Sequence, residues 1–80
     1  MAHIKYYGDL KRLTGKDEDE IAAKSLSDVL SAIGSQYGKP AKKAAKASLI
    51  VVDDEKVLSI RKAVVKEDSK IGFFPTCCGG

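Results

Sequence analysis

Apolar and polar residues alternate at the start of the chain, over residues 2–7. Ile4 and Tyr6 fall on one side of an extended segment, and the residues on the other side are His3, Lys5 and Tyr7. A period of two residues is typical of a strand with one buried face. The chain is therefore predicted to begin with a β-strand, which Gly8 interrupts.

A polar connection follows at residues 14–19, and it overlaps an acidic run at residues 17–20. Such a run can be a cation site or a solvated turn. It lacks the spaced oxygen ligands of a calcium loop, so we predict the solvated tip of a hairpin. The second strand of that hairpin is predicted at residues 20–24.

The strongest helical pattern of the chain begins at Ser25. A serine suits the N-cap position, and Asp28 stands where it can complete an approximate capping box. Apolar residues then recur at the spacing of one buried helical face, and they are Leu26, Val29, Leu30, Ile33 and Tyr37. Gly38 and Pro40 end the helix. Because it has a single apolar face, this helix needs a sheet to cover it.

Three further segments fill the second half of the chain. Residues 40–47 favour a helix by composition but are too few to be stable alone. Their lysines can form an anion or partner patch, but we predict a solvated helical turn. Residues 49–52 are a continuous, mostly β-branched apolar run, and we predict that they form the most buried strand. A turn at residues 53–56 then leads to a predicted partner strand at residues 57–60.

The last strand is predicted at residues 70–74. Ile71 and Phe73 share the face that we assign to the core, whereas Phe74 falls on the outer face. Phe74 and the following Pro75 stand at the root of a short tail. Aromatic residues are enriched at protein interfaces, so Phe74 is a candidate partner anchor. The alternative that its ring folds back on its own sheet stays open.

The order of elements is therefore β-β-α-β-β-β, and the predicted class is α+β. We expect a mixed sheet of four to five strands packed on one main helix. The domain is predicted to cover residues 1–75, and a flexible tail is predicted at residues 76–80.

The tail ends in Gly79 and Gly80. Two residues without side chains can enter a channel too narrow for any other residue. The terminal carboxylate is also free of steric cover, so another protein can activate it. Thr76, Cys77 and Cys78 complete the tail.

The composition excludes several function classes. A net charge of +3 with scattered Lys and Arg argues against nucleic-acid binding. No apolar stretch is long enough for a membrane span, and the first residues lack the apolar core of a signal peptide. We therefore expect a cytoplasmic protein. The single histidine, His3, offers neither a catalytic triad nor metal-ligand spacing, so no metal site is predicted.

The two cysteines, Cys77 and Cys78, are adjacent. Neighbouring Cα atoms lie about 3.8 Å apart, which is closer than a relaxed disulfide allows, so they cannot staple the fold. Soft thiolates can bind copper(I) or hold sulfur. Our preferred interpretation is that they are slender residues that pass through a partner's channel.

Three features together resemble the ubiquitin-like sulfur carriers, the family of MoaD and ThiS. They are the capped helix start at residues 25–30, the turn and strand at residues 66–75, and the terminal glycine pair. The order of elements agrees over nearly the whole chain, but only the last dozen or so residues are specific. Phe73, Phe74 and Pro75 are most similar to the molybdopterin branch, that of the synthase small subunit MoaD. In place of that branch's second proline and small apolar residues, this chain has Thr76, Cys77 and Cys78.

The resemblance implies a ubiquitin-like β-grasp fold and a carrier protein that is not itself an enzyme. An E1-like enzyme of the MoeB or ThiF type would use ATP to adenylate Gly80. Sulfur from a donor persulfide would then convert the carboxylate to a thiocarboxylate. The acceptor would be a synthase large subunit of the MoaE type or another sulfur-accepting enzyme, and the carrier itself would hold no cofactor.

Three alternatives share these sequence features. The first is a sulfur carrier for thiamine or another metabolite, and the second is a protein modifier joined to lysines through Gly80. The third is a plain interaction module in which the glycine pair has no chemical role.

Overall fold

The computed structural model describes residues 1–75. Five strands, three α-helices and one 3-10 turn follow one another within these residues. Their bounds are β1 (Ala2–Tyr6), α1 (Asp9–Thr14), β2 (Glu18–Ile21), α2 (Leu26–Tyr37), α3 (Lys39–Ala47), β3 (Leu49–Val52), β4 (Glu55–Lys56), the 3-10 turn (Ile60–Lys62) and β5 (Lys70–Phe74).

The strands form one mixed sheet in the order β2-β1-β5-β3-β4. β5 lies at the centre, parallel to β1 and antiparallel to β3. The helices cover one face of the sheet and leave the other face open. The predicted α+β class with a mixed sheet is thus present, and in this sheet the last strand lies beside the first.

The main helix, α2, is capped as predicted. The Ser25 hydroxyl oxygen accepts a hydrogen bond of 3.2 Å from the Asp28 amide. The Asp28 carboxylate accepts one from the Lys24 amide, so the box closes one residue earlier than usual. The predicted apolar stripe is buried, except that Tyr37 is half-buried. Gly38 ends the helix with φ of 96°.

Residues 40–47 are helical, as predicted, but they belong to a nine-residue helix that is packed on the domain rather than to a solvated helical turn. Helix α3 packs on α2, and both Ala41 and Ala45 are almost fully buried. The methylene stem of Lys42 lies against Gly34 of α2. Small side chains let the two helices approach closely, so tertiary packing stabilises a helix that is too short to form alone.

The predicted hairpin tip is also wrong. The connection after β1 contains α1, whose Leu10 is buried in the core. β2 begins at Glu18, so most of the acidic run lies within a strand that pairs with β1. Alternation within β2 explains its burial pattern, because Glu18 and Glu20 lie on the open face of the sheet and are exposed.

Asp19 points to the helical side, where it joins two tyrosines. Its carboxylate accepts hydrogen bonds from the hydroxyls of Tyr6, at 3.3 Å, and Tyr37, at 2.5 Å. Burial and the nearby carboxylate raise the pKa of Tyr37 to about 12, and the same two causes raise the pKa of Tyr6. The network therefore joins β1 and β2 to the last turn of α2.

The partner of β3 is not the predicted strand at residues 57–60. β4 pairs with β3 at Glu55 and Lys56, after a two-residue turn in which Asp53 and Asp54 have φ of 50° and 69°. Two positive φ angles are typical of a tight type I′ hairpin turn. The chain then leaves the sheet toward the 3-10 turn. β3 itself is only half-buried, because one of its faces belongs to the open side of the sheet.

Asp53 also holds the start of β5. Its carboxylate accepts hydrogen bonds from the Ser69 hydroxyl, at 2.8 Å, and from the Lys70 amide, at 2.9 Å. The Ser69 oxygen, which is almost fully buried, accepts a further bond from the Lys66 amide. The backbone bond from Lys70, followed by the bond from Ser69, lowers the pKa of Asp53. This group of bonds, the Asp53 clamp, fixes the turn that precedes β5.

None of the helices within residues 1–75 is long and apolar enough to cross a membrane.

Candidate functional site

The candidate site is the root of the tail, at the carboxyl end of β5. Ile71 and Phe73 point into the core and are 2% and 0% exposed, as predicted. Phe74 lies half-buried on the open face, and the exposed Pro75 is the last described residue. The central position of β5 gives the tail root hydrogen-bonded neighbours on both sides. The last described residues therefore stand on a rigid support.

The Phe74 ring packs on the open face of its own sheet. It stacks on Tyr7, with ring centroids 4.5 Å apart and ring planes 10° from parallel. The backbone supports this contact, since the Tyr7 amide donates a hydrogen bond to the Phe73 carbonyl. The sequence left two alternatives for Phe74, a partner anchor and a ring that folds back on its own sheet. The structure shows the contact with its own sheet. Its role as a partner anchor stays a prediction.

Two glycines lie directly beneath the residues that precede the tail. A Cβ atom added to Gly72 would lie 2.7 Å from Cε2 of Phe74. A Cβ atom added to Gly8 would lie 3.0 Å from Cβ of Pro75. Gly8 also has φ of 62° and ψ of −131°, a conformation that other residues rarely adopt. Both close contacts depend on the absence of a side chain.

Residues on the open face form rows across the sheet, because register and alternation bring them side by side. The row nearest the tail, which we call the apolar row, consists of Tyr7, Phe74 and Leu49. The next row has Gly72 and Val51 at its centre, with Lys5 beside them. The row farthest from the tail is charged and contains Glu20, His3 and Lys70. The face thus changes from apolar to charged with distance from the tail root.

Polar side chains pair across β1 and β2. His3 Nδ1 lies 3.4 Å from a Glu20 carboxylate oxygen, and Lys5 Nζ lies 3.8 Å from one of Glu18. All four side chains are more than half exposed. Exposed pairs of this kind contribute about 0–1 kcal/mol to stability, so their main effect is on the charge pattern that a partner meets.

Five of the residues predicted for the site are Thr76, Cys77, Cys78, Gly79 and Gly80, and they lie outside the described residues. Phe74 and Pro75 are the two that the structure describes. Within residues 1–75, no group of three or more His, Cys, Asp or Glu side chains is arranged to hold a metal ion.

Sequence reasoning missed four residues that shape the tail root: Tyr7, Gly8, Leu49 and Gly72. The alternation of the first strand already put Tyr7 on the outer face, and alternation in the last strand put Gly72 beneath Phe74. Leu49 carried no such signal, because it belongs to a continuous apolar run. Their proximity depends on the pairing of β5 with β1 and β3, which the local sequence does not specify.

Comparison with known proteins gives a family match and a fold match. Residues 4–80 match the model of the ThiS family. No curated protein sequence matches the chain. Among solved structures, small archaeal modifier protein 1 from Methanosarcina acetivorans superposes with a TM-score of 0.80. It is 20% identical, and the match covers 99% of this chain and 95% of that chain.

Two further solved structures have the same fold. One is the complex of subunits 1 and 2 of the molybdopterin-converting factor from Helicobacter pylori 26695. The matched chain has a TM-score of 0.72 and 19% identity, over 99% of this chain and 97% of that chain. The other is small archaeal modifier protein 1 from Haloferax volcanii, with a TM-score of 0.68 and 15% identity over 92% and 94%. The predicted ubiquitin-like β-grasp fold is thereby confirmed.

Proposed function

The chain belongs to the ThiS family of small ubiquitin-like sulfur carriers, and we propose that it carries sulfur as a thiocarboxylate on Gly80. The observation that supports this most directly is the tail root. A rigid central strand ends beside an exposed apolar row, and residues 76–80, with the glycine pair, follow in the sequence. A partner can bind the row while the tail reaches its active site.

The chemistry proceeds in two stages. A carboxylate is a poor electrophile, so one of its oxygens first attacks the α-phosphate of ATP on an E1-like enzyme of the MoeB or ThiF type. Pyrophosphate leaves, and Gly80 becomes an acyl adenylate. The terminal sulfur of a donor persulfide then attacks the carbonyl carbon and displaces AMP. A thiol then attacks the donor's own cysteine sulfur in the resulting acyl disulfide. The transferred sulfur stays on Gly80 as a thiocarboxylate, and the donor cysteine ends in a disulfide with that thiol.

The carrier contributes reach and a docking surface to this chemistry, rather than catalytic side chains. Residues 76–80 span roughly 17 Å when extended, at about 3.4 Å per residue. Gly79 and Gly80 keep the reacting end narrow, and Thr76, Cys77 and Cys78 are small enough to follow. ATP is bound by the activating partner in this proposal, and the carrier is a co-substrate.

Docking rests on the apolar row and Pro75. Tyr7 is 38% and Leu49 is 36% exposed, which leaves apolar area for a partner to bury next to Phe74. Aromatic side chains at the centre of an interface with a polar rim are the arrangement that typically dominates binding energy. The charged row beyond supplies that rim.

Molybdopterin synthesis is the pathway that we propose for the delivered sulfur. The support is the resemblance of Phe73, Phe74 and Pro75 to the molybdopterin branch, together with the fold similarity to a chain in the complex of subunits 1 and 2 of a molybdopterin-converting factor. The acceptor would be a large subunit of the MoaE type, and the reactions would take place in the cytoplasm. The alternative client is thiamine or another sulfur-containing metabolite.

A second candidate function is protein modification, in which Gly80 is joined to lysines of other proteins. The specific observation in its favour is the similarity to small archaeal modifier proteins from two species. Both functions begin with the same adenylation, so they diverge only after activation.

The decisive experiment incubates the chain with the MoeB- or ThiF-type enzyme of its own organism, ATP and a persulfide donor. Mass spectrometry should find one terminal oxygen of Gly80 replaced by sulfur. Deletion of Gly80, or extension by one residue, should abolish adenylation and leave the fold intact. Sulfur on a cysteine with an untouched Gly80 carboxylate would contradict the carrier mechanism, and isopeptide-linked lysines would favour the modifier.

A further inference from the structure

Phe74 can lie along the open face only because residue 72 has no side chain. The three ring atoms Cε2, Cζ and Cδ2 would lie 2.7, 3.2 and 3.6 Å from a Cβ at position 72. A glycine inside a strand weakens it and typically marks a place where another group approaches closely. Here the approaching group is the aromatic ring at the tail root.

We propose that Gly72 is a positioning residue: it holds the Phe74 ring against Tyr7 and so presets the docking surface from which the chain leaves β5. This inference rests on the proposed function, because a preset surface matters only if a partner binds it.

A methyl group at position 72 would displace the ring rather than the strand. Gly72 is paired with Lys5 of β1 on one side and with Val51 of β3 on the other. Its backbone does not have a positive φ, so alanine is acceptable there apart from the contact. Phe74 lies at the last position of the strand. The ring is thus the part that can move, and its displacement disturbs the stacking on Tyr7.

The contact between Gly8 and Pro75 also helps to fix the docking surface. Pro75 lies against the Gly8 backbone, which lies between β1 and α1. The rings of Phe74 and Pro75 are therefore both seated on glycines, of which Gly72 lies within β5 and Gly8 lies in the connection between β1 and α1. Preorganisation of this kind reduces the ordering cost of binding.

The experiment measures ATP–pyrophosphate exchange by the MoeB- or ThiF-type enzyme of the same organism, with the carrier as the varied substrate. We expect Gly72→Ala to raise KM about tenfold, which is typical when an interface anchor is lost, while kcat changes less. Phe74→Ala should raise KM at least as much. If Gly72 acts through Phe74, adding Gly72→Ala to Phe74→Ala should leave KM within about twofold.

Gly34→Ala is the matched control. A Cβ at position 34 also makes a close contact, 2.9 Å from Cδ of Lys42, but this neighbour is a flexible side chain on the helical side. KM should equal that of the parent. Thermal melts of every variant separate loss of docking from loss of fold. In NMR spectra, Gly72→Ala should weaken the cross-peaks between the Tyr7 and Phe74 rings.

Three outcomes would overturn the inference. The first is a Gly72→Ala protein with parental KM. The second is additive effects of Gly72→Ala and Phe74→Ala. The third applies if Gly72→Ala does not fold. Tyr7→Ala then removes the same stacking contact while Gly72 stays intact, and a parental KM for the Tyr7→Ala protein would contradict the inference. A parent chain that supports no exchange at all would instead contradict the proposed function, and with it the premise of the inference.

Discussion

The two ends of β5 are held by different physical means. At its start, the Asp53 clamp fixes Ser69 and Lys70 through short, directional hydrogen bonds. At its end, Phe74 and Pro75 are held by ring contacts with Tyr7, Gly72 and Gly8. The open face follows the same division, since it is charged at the first end and apolar at the second.

The two ends of β5 therefore have different roles. The first end stabilises the fold, and the second end presents a surface. Hydrogen bonds between buried or turn groups set one geometry and leave little apolar area exposed. Stacked rings on an open face also set a geometry, but they keep one side available to a partner. We therefore expect changes in the Asp53 clamp to affect stability, and changes of the open-face rings at the second end to affect binding.

The largest effect on stability should come from removing the core-facing side chain near the carboxyl end of β5. Phe73 is fully buried, so Phe73→Ala should cost about 3–5 kcal/mol of unfolding free energy, a large part of a small domain's stability. Phe74→Ala, one residue later on the open face, should cost about 1.5 kcal/mol or less. Urea melts of the two variants give the comparison. Equal losses would mean that both faces of β5 contribute to the core.

A smaller effect is expected from acid at the first end. The pKa of Asp53 is lowered in the folded state, so its stabilisation is present above its unfolded pKa of about 3.9 and is lost as pH falls through the folded pKa. The melting temperature should decline over this acidic range. Asp53→Asn should melt lower at neutral pH and approach the parent as pH falls. Asp54→Asn, in the same turn, is the control, and a parental profile for Asp53→Asn would contradict the clamp.

The smallest effect should come from the cysteines of the tail. If Cys77 and Cys78 serve only as slender residues, the double variant Cys77→Ser, Cys78→Ser should acquire a thiocarboxylate at a rate within severalfold of the parent. A thiol with a pKa near 8.5 is a few per cent thiolate at neutral pH, so thiolate chemistry is chemically accessible. Near-total loss of sulfur transfer with adenylation preserved would show that the cysteines relay sulfur.

Local sequence patterns predicted those helices and strands whose capping residues or apolar spacing lie within the element itself. The N-cap at Ser25 and the apolar stripe after it locate α2 within one residue. Alternation over residues 70–74 gives both faces of β5 correctly. Each signal lies within a short window, so no knowledge of tertiary contacts is needed.

The sequence predictions were wrong where contacts between distant parts of the chain determine the structure. Helix α3 forms because Ala41 and Ala45 pack on the core, which propensity over nine residues does not predict. The continuous apolar run at residues 49–52 indicates a buried strand, yet Leu49 belongs to the exposed apolar row. The hairpin partner of β3 lies two residues earlier than predicted, because Asp53 and Asp54 adopt positive φ in a tighter turn. The tail root itself combines β1, β3 and β5, so no single segment predicts it.

The strand order has a consequence for the timing of synthesis. Of the five strands, the central one is the last to emerge from the ribosome, and the sheet cannot close around β5 until then. A nascent chain that lacks β5 has two unjoined halves, β1 with β2 and β3 with β4. The surface at the tail root arises only when both halves are joined by β5. If the proposed activating enzyme binds this surface, it distinguishes folded chains that contain β5 from incomplete ones.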